Sequence, residues 1–357
     1  MHSQAFQVAD NSTGCGDFIG RRAGYFSRQQ AILDRFFFPF VYVRNYIHWR
    51  LIWHYSWRDV LLFTGYDIIL VILYGPLNFR WLDVPWQLVS IMGVAVSFYV
   101  GFKNKEAYSR FWEARGLWGG ISHTSRSWAA QVVATTGMDA PEVGGFPSVT
   151  QPVPPLTRRL VYRQLAWANA LRLELRRQMG HWDEQVAPFL DPGESERVRR
   201  LANPAAQLLL AQTADLVRAP PLFKDFQHAS LIDILREATR LQVSCERIKD
   251  TPFPRQYAFS SLVFVWLFVA LLPLGMLSEF GRLGHGHFWL TVPFSVLVSW
   301  VFVTLELVGH ISEDPFENRM NDVPMSAVCR TLEIDLRQML DETVIPPPVE
   351  VKQGVLY

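Results

Sequence analysis

The segment from Tyr257 to Ser278 reads YAFSSLVFVWLFVALLPLGMLS and contains no Asp, Glu, Lys or Arg. A helix that crosses the roughly 30 Å hydrocarbon core of a bilayer needs about 20 mostly apolar residues. An amphipathic helix at the surface of a soluble protein carries charge on one face, and this segment carries none. Because backbone groups in lipid must find hydrogen bonds within their own segment, we expect a transmembrane α-helix here.

Three further stretches have the same character. Gly286–Leu305 and Val84–Phe102 are also free of charged residues, and Val60–Phe79 is interrupted once, by Asp67. Aromatic residues of the kind found at membrane–water interfaces stand at the ends of these stretches, namely Trp81, Trp86 and Trp289. The sequence therefore predicts an all-α membrane protein with four transmembrane helices.

The distribution of basic residues predicts the orientation. The short connections 80–83 and 279–285 hold only Arg80 and Arg282, whereas Lys and Arg are frequent before the first stretch, after the second and before the third. The positive-inside tendency then places both termini and the long middle segment in the cytosol of a multi-pass protein of the cell membrane. Five segments follow: a cytosolic N-terminal segment (1–58), the first two transmembrane helices (59–102), a cytosolic helical domain (103–256), the third and fourth transmembrane helices (257–307) and a cytosolic C-terminal tail (308–357).

The middle segment and the tail are too polar for lipid. Their apolar residues recur at helical spacing, which predicts helices at 105–132, 157–182, 194–215, 225–248 and within 322–342. The stretch 136–156 is rich in Gly and Pro and is predicted to be a loop.

The composition excludes several classes of function. The net charge is +1, which gives no indication of nucleic-acid binding. The three cysteines lie far apart and have no metal-ligand spacing, and no histidine lies at the centre of a predicted span, where a haem or a metal would need it. We find no catalytic constellation and no glycine-rich phosphate loop, so the sequence predicts no enzyme, no metal site and no cofactor.

The second span carries two neighbouring stripes of residues four apart, which places each stripe along one side of a helix. The apolar stripe is Val94, Phe98 and Phe102; we call these three residues the neck face. The stripe of small residues, which would let helix backbones approach closely, is Gly93, Ser97 and Gly101. The spacing alone leaves two interpretations of the neck face: contact with lipid or a neighbouring helix, or the lining of an axial pore in an oligomer.

Asp67 is the one acidic residue inside a predicted span. An ionisable group there costs about 2.5–3.5 kcal/mol on insertion scales, so it is expected to face protein or water. A position near the interface, from which the side chain reaches the headgroups, is the alternative.

Three sets of residues, in order along the chain, resemble the bestrophin family in its prokaryotic branch. The first runs from Gly101-Phe102-Lys103-Asn104 to Tyr108-Ser109-Arg110-Phe111-Trp112-Glu113-Ala114-Arg115 and Leu117-Trp118-Gly119. The second is Cys245-Glu246-Arg247-Ile248 with Thr251-Pro252, and the third is Glu313-Asp314-Pro315-Phe316 with Asn321-Asp322-Val323-Pro324 and Cys329-Arg330-Thr331-Leu332-Glu333. The resemblance covers residues from about 35 to 340.

This resemblance implies a bestrophin-like homopentameric ion channel whose second spans line a narrow neck. By position, Val94, Phe98 and Phe102 match the three rings of that neck, and Ala229 is the candidate for a second, cytosolic aperture. Family members conduct chloride and other anions in animals, and some prokaryotic ones select cations. Phe98 matches the aromatic neck of the anion-conducting members, so the resemblance favours anion conduction. The expected partners are small permeant ions, the lipid bilayer and further copies of the chain.

Animal bestrophins bind calcium through a run of acidic residues after the fourth span. The matching stretch here, Glu317 to Asp322, has Arg319 and Met320 where carboxylates would be needed. We therefore predict that the calcium site is absent. Two competing functions remain beside anion conduction: a cation-selective channel of the same fold, and a membrane scaffold or sensor with a closed pore. A membrane oxidoreductase is a further alternative, disfavoured by the positions of the histidines.

Overall fold

The computed structural model describes residues 41–42, 49–136, 152–218, 225–284, 286–318, 322–349 and 355–356. Within these ranges the chain is helical except for two short strands. The helices are α1 (Trp49–Tyr74), α2 (Trp86–Thr136), α3 (Pro155–Leu175), α4 (Trp182–Gln185), α5 (Pro192–Arg199), α6 (Pro204–Arg218), α7 (Asp225–Asp250), α8 (Arg255–Arg282), α9 (Thr291–Ser312) and α10 (Met325–Met339).

The two strands, β1 (Val41–Tyr42) and β2 (Val355–Leu356), pair antiparallel with Val41 opposite Leu356. The helical fold class predicted from the sequence is confirmed, and this pair is a small addition to it. It also brings the backbone before α1 next to the backbone near the C-terminus.

Three stretches of the described chain are long and apolar enough to cross a membrane: 80–136, 255–282 and 287–312. They contain the second, third and fourth predicted spans. α1 is not among them, because it ends at Tyr74 and its first half carries Arg58 and Asp59. The crossing of the bilayer by α1 stays a prediction.

α2 is one continuous helix of 51 residues, about 75 Å long at 1.5 Å per residue. The sequence analysis placed a boundary between a span ending at Phe102 and a separate cytosolic helix beginning at 105. That boundary lies inside α2, which contains no proline that would break its hydrogen-bond ladder. The predicted second span and the predicted helix 105–132 therefore form one rod.

The helices of the polar middle segment, together with α10, pack around α3, which is buried along most of its length. Four fully buried tryptophans fill this core: Trp118, Trp128, Trp167 and Trp182. Two predicted helices are shorter than expected. α3 ends at Leu175, and the predicted helix 194–215 is divided into α5 and α6, because Pro204 cannot continue a helix from its N-terminal side and instead begins a new one.

α2, α8 and α9 form the apolar bundle, and α9 also packs against α1. α2 contributes a buried stripe at alternating three- and four-residue spacing: Val89, Gly93, Val96, Val100, Lys103 and Ala107. At Gly93 a Cβ atom would lie only 2.8 Å from the Phe268 ring of α8, so this close approach requires glycine. The buried stripe fixes which side of α2 faces the rest of the subunit.

Candidate functional site

The neck face lies on the side of α2 away from the buried stripe. Val94, Phe98 and Phe102 are 58%, 65% and 59% exposed in the subunit. At about 100° per residue, Val96 and Val100 of the buried stripe are each rotated by about 160° from Phe98. In the described part of the chain, no helix covers the neck face, so whatever borders it lies outside the described residues of this subunit.

The stripe of small residues divides between two surroundings. Gly93 is buried against Phe268, as expected for a packing residue. Ser97 and Gly101 are exposed, and a Cβ at Gly101 would meet nothing within 4 Å among the described residues. For these two residues, a role in helix packing requires another subunit and stays a prediction.

Directly after the neck face, Lys103 points into the subunit and is only 1% exposed. Its Nζ atom lies 2.5 Å from Glu306 Oε1 of α9 and 2.9 Å from Oε1 of Glu313, just beyond α9. The Ser261 hydroxyl of α8 donates a hydrogen bond of 2.5 Å to the other carboxylate oxygen of Glu306. We call Lys103, Glu306, Glu313 and Ser261 the buried charge cluster. It joins α2, α8 and α9 at the level of Phe102.

A buried charge is stable only when it is paired and hydrogen-bonded, and the buried charge cluster meets both conditions for Lys103. His310 Nδ1 lies 3.5 Å from Glu313 Oε2. Burial raises the pKa of Glu313, but the hydrogen bond with His310 and the Lys103 charge outweigh it and hold this pKa below its usual value. Glu313 therefore remains a carboxylate facing Lys103.

The three sets of residues that carry the resemblance come together here. Lys103 of the first set binds Glu313 of the third. Arg110 of the first set donates hydrogen bonds from Nη2 to the backbone carbonyl oxygens of Ile248 and, at 2.6 Å, Thr251. Its guanidinium thereby caps the C-terminal end of α7. One further ion pair joins the sets, Arg247 to Glu113 at 2.6 Å. Next to the second and third sets, Lys249 pairs with Glu317 at 2.7 Å. The motifs thus build the junction between the apolar bundle and the cytosolic helices.

The sequence analysis missed the buried charge cluster. In the sequence, Lys103 is a basic residue after the second span and a member of the first set that carries the resemblance, and Glu306 lies just beyond the charge-free run that ends at Leu305. A signal was available, since residues of opposite charge at the same ends of two spans can pair. The pattern could not say that both side chains turn inward, because this depends on the rotation of α2 and α9.

Asp67 is 1% exposed and lies between α1 and α9, where its carboxyl interacts with the Ser295 hydroxyl. The contact does not have hydrogen-bond geometry, and Asp67 Oδ2, Ser295 Oγ and Thr291 Oγ1 have no hydrogen-bond partner among the described residues. Asp67 therefore faces protein in this subunit, and no basic side chain of the described chain pairs with it. Its functional role stays a prediction.

Ala229 is exposed and is the fifth residue of α7, and its place at a cytosolic aperture stays a prediction. In the stretch that matches the calcium site, Arg319 and Met320 lie outside the described residues. Glu317 is paired with Lys249, and Asp322 accepts hydrogen bonds from the backbone N–H groups of Val323, at 2.6 Å, and of Asn318. Among the described residues, no three or more His, Cys, Asp or Glu side chains are grouped to hold a metal ion.

A family model, curated relatives and solved structures all match most of this chain. The family model described as Bacterial/Fungal Bestrophin protein matches residues 40–338. The chain is 32% identical over 320 residues to the voltage-dependent anion channel-forming protein YneE of Escherichia coli K12, covering 86% of this chain and 96% of that protein. It is 30% identical over 275 residues to the voltage-dependent anion channel-forming protein mll4386 of Mesorhizobium japonicum, covering 75% of this chain and 80% of that protein. Among solved structures, a bacterial bestrophin homologue from Klebsiella pneumoniae matches with a TM-score of 0.68 and 25% identity, over 80% of this chain and 98% of that chain.

Proposed function

Because the chain belongs to the bacterial and fungal bestrophin family, we propose that it is a subunit of an ion channel that passes chloride and other small monovalent anions. The relatives named as anion channel-forming proteins support this proposal over most of the chain. The neck face would form the narrow part of the passage, with one Val94, Phe98 and Phe102 from each subunit.

The observation that carries the proposal is the exposure of the neck face. Three large apolar side chains stand in a row on a helix whose opposite side is packed and charge-paired. Rings of such side chains around a shared axis make a hydrophobic constriction that controls the passage of ions by dewetting. The positive edge of the Phe98 ring is suited to a partly dehydrated anion.

A conduit on a shared axis requires several copies of the subunit, and the family resemblance implies five. The cytosolic helices offer surface for such contacts. Exposed apolar side chains on α6 and α7 include Leu210, Val217 and Val243. An open groove of about 390 Å³ between these helices is lined by Leu209, Leu210 and Val243 together with polar residues.

We place both termini in the cytosol of a cell that carries the channel in its plasma membrane. The pairing of β1 with β2 supports a common side for the two ends of the chain. Four crossings of the membrane, with α1 as the first, would also leave both termini on the same side. Exposed Trp81, in the first short connection, and exposed Trp289, at the start of the fourth predicted span, would then lie at the opposite membrane surface.

The proposed channel needs no cofactor and catalyses no reaction. We also expect no activation by calcium, since Glu317 and Asp322 already hold other partners. Current that disappears when a calcium chelator is added would contradict this expectation.

The test is the reversal potential of purified protein in a planar bilayer under asymmetric potassium chloride. Anion conduction predicts a reversal potential near the equilibrium potential of chloride. A value near that of potassium would support the cation-selective alternative instead. Absence of current from wild type and from Phe98→Ala under every gradient would contradict a channel function and favour a scaffold or sensor.

A further inference from the structure

Lys105 is the first charged residue that α2 presents on the side of the neck face. It lies seven residues after Phe98, which rotates it by only about 20° from Phe98 at about 100° per residue. Val94 and Phe102 lie about 40° to either side of Phe98, so Lys105 falls between them. Its exposed neighbour Glu106 is rotated by about 80° and lies at the edge of this side.

The surroundings of Lys105 are open. It is exposed in the subunit, and it takes part in no ion pair among the described residues. Lys103, two residues earlier, is buried and bound by two carboxylates. No ion pair among the described residues therefore neutralises the positive charge of Lys105.

Farther along the same side of α2, the next positions are uncharged or paired. Ser109 and Gly116 lie within about 20° of Phe98 and carry no charge. Glu113 is rotated by about 60° and is bound by Arg247 at 2.6 Å. In the part of α2 that follows the neck face, Lys105 is thus the charged residue with the smallest rotation from Phe98, and it has no ion pair among the described residues.

We propose that Lys105 is a specificity-determining residue of the channel, which attracts anions to the cytosolic end of the neck. The inference rests on the proposed function, because it requires that the neck face border the conduit. Apolar rings discriminate little between anions and cations, whereas rings of Lys or Arg select anions. One Lys105 per subunit would form such a ring next to Phe102, and charge of one sign in a narrow passage raises the local concentration of counter-ions.

The experiment measures reversal potentials of reconstituted wild type, Lys105→Gln and Lys105→Glu under a potassium chloride gradient, at low and at high total salt. The anion-to-cation permeability ratio is expected to fall at least about threefold in Lys105→Gln and about tenfold or more in Lys105→Glu. The change is expected to be smaller at high salt, because exposed charges are screened within a few ångströms there. Arg200→Gln, which removes an equal charge from an exposed pair with Glu196, is the matched control and should leave the ratio unchanged.

The outcomes separate the inference from the proposed function. A wild type that conducts anions while Lys105→Glu keeps the wild-type ratio would overturn the inference alone. A wild type that prefers cations would contradict the proposed anion conduction, but a further loss of anion permeability in Lys105→Glu would still support the inference. Absence of current from wild type would overturn both.

If Lys105→Glu does not assemble, Lys105→Cys carries the test. A cationic thiol reagent should restore the wild-type permeability ratio and an anionic reagent should lower it, whereas treated wild type should not change. An equal ratio after both reagents would overturn the role of Lys105.

Discussion

Lys103 and Lys105 lie two residues apart on α2 and have opposite surroundings. Lys103 is 1% exposed and bound by Glu306 and Glu313, whereas Lys105 is exposed with no ion pair among the described residues. The two sides of the helix differ in the same way, since one is packed against α8 and α9 and the other is uncovered. The buried ion pairs of Lys103 can thus fix the rotation of α2 and so determine that Lys105 stays accessible to ions.

Replacing Lys103 tests this comparison with the largest expected effect. Lys103→Met would leave Glu306 and Glu313 buried without their cation, which costs about 3–5 kcal/mol. We expect little folded, assembled protein in detergent and a clearly lowered Tm by thermal melting. Lys105→Gln is the control and should melt like wild type, because its side chain is exposed. Equal stability of the two variants would contradict the difference in surroundings between Lys103 and Lys105.

Glu174 of α3 extends the comparison to a half-buried acid that has no ion pair among the described residues. Burial raises the pKa of Glu174 to about 7; the Ala205 N–H, which donates a hydrogen bond of 2.8 Å to it, lowers this pKa and Glu246 raises it further. The pKa of Glu174 is thus higher in the folded state than in the unfolded state, which means that protonated Glu174 favours folding. This contribution to the free energy of unfolding is full below about pH 4.5 and is lost as the pH rises through about 7.

We therefore expect Glu174 to cause a loss of stability on the order of 1–2 kcal/mol between about pH 5 and 8. Thermal melting across this range should show the loss in wild type and a flatter profile in Glu174→Gln. Glu313, with its lowered pKa, contributes with the opposite sign and loses its contribution only in more acidic solution. Parallel profiles of wild type and Glu174→Gln would contradict the role of Glu174.

Glu306→Gln tests whether Glu313 can hold Lys103 when the second carboxylate of the buried charge cluster is removed. The single amide oxygen can still accept from Lys103, the amide NH2 can donate to the Ser261 hydroxyl oxygen, and Lys103 keeps Glu313 as its carboxylate partner. We expect a loss of about 1 kcal/mol, well below that of Lys103→Met. Chemical or thermal unfolding of both variants in the same detergent measures the difference. A loss as large as that of Lys103→Met would mean that Glu313 does not hold Lys103.

Phe98→Ala should have the smallest effect on stability. Its side chain is 65% exposed in the subunit, so truncation is expected to change the free energy of unfolding by less than about 0.5 kcal/mol within one subunit. Conductance in a planar bilayer should increase a few-fold, because a wider and less apolar ring is easier for water and ions to enter. Unchanged conductance with an unchanged Tm would place Phe98 away from the conduit.

The sequence predicted the helical class, three of the apolar helices and most cytosolic helices, because these depend on local composition and periodicity. It predicted the neck face, whose spacing of four is a property of one helix. It did not predict that α2 continues past Phe102 as a single rod, nor that Lys103 turns inward to Glu306. These features depend on how helices far apart in sequence pack and rotate against each other. The place of Ala229 and the border of the neck face depend on further subunits, which one chain's pattern does not specify.

The central claim is that the neck face borders an ion conduit on a symmetry axis. An experimental structure of the assembled protein in a lipid nanodisc, determined by electron cryomicroscopy, tests it most directly. We expect a ring of subunits in which Val94, Phe98 and Phe102 point towards the central axis, with Lys105 next to Phe102 at its cytosolic end. An assembly in which these side chains face lipid, or lie between neighbouring subunits away from the axis, would contradict the account.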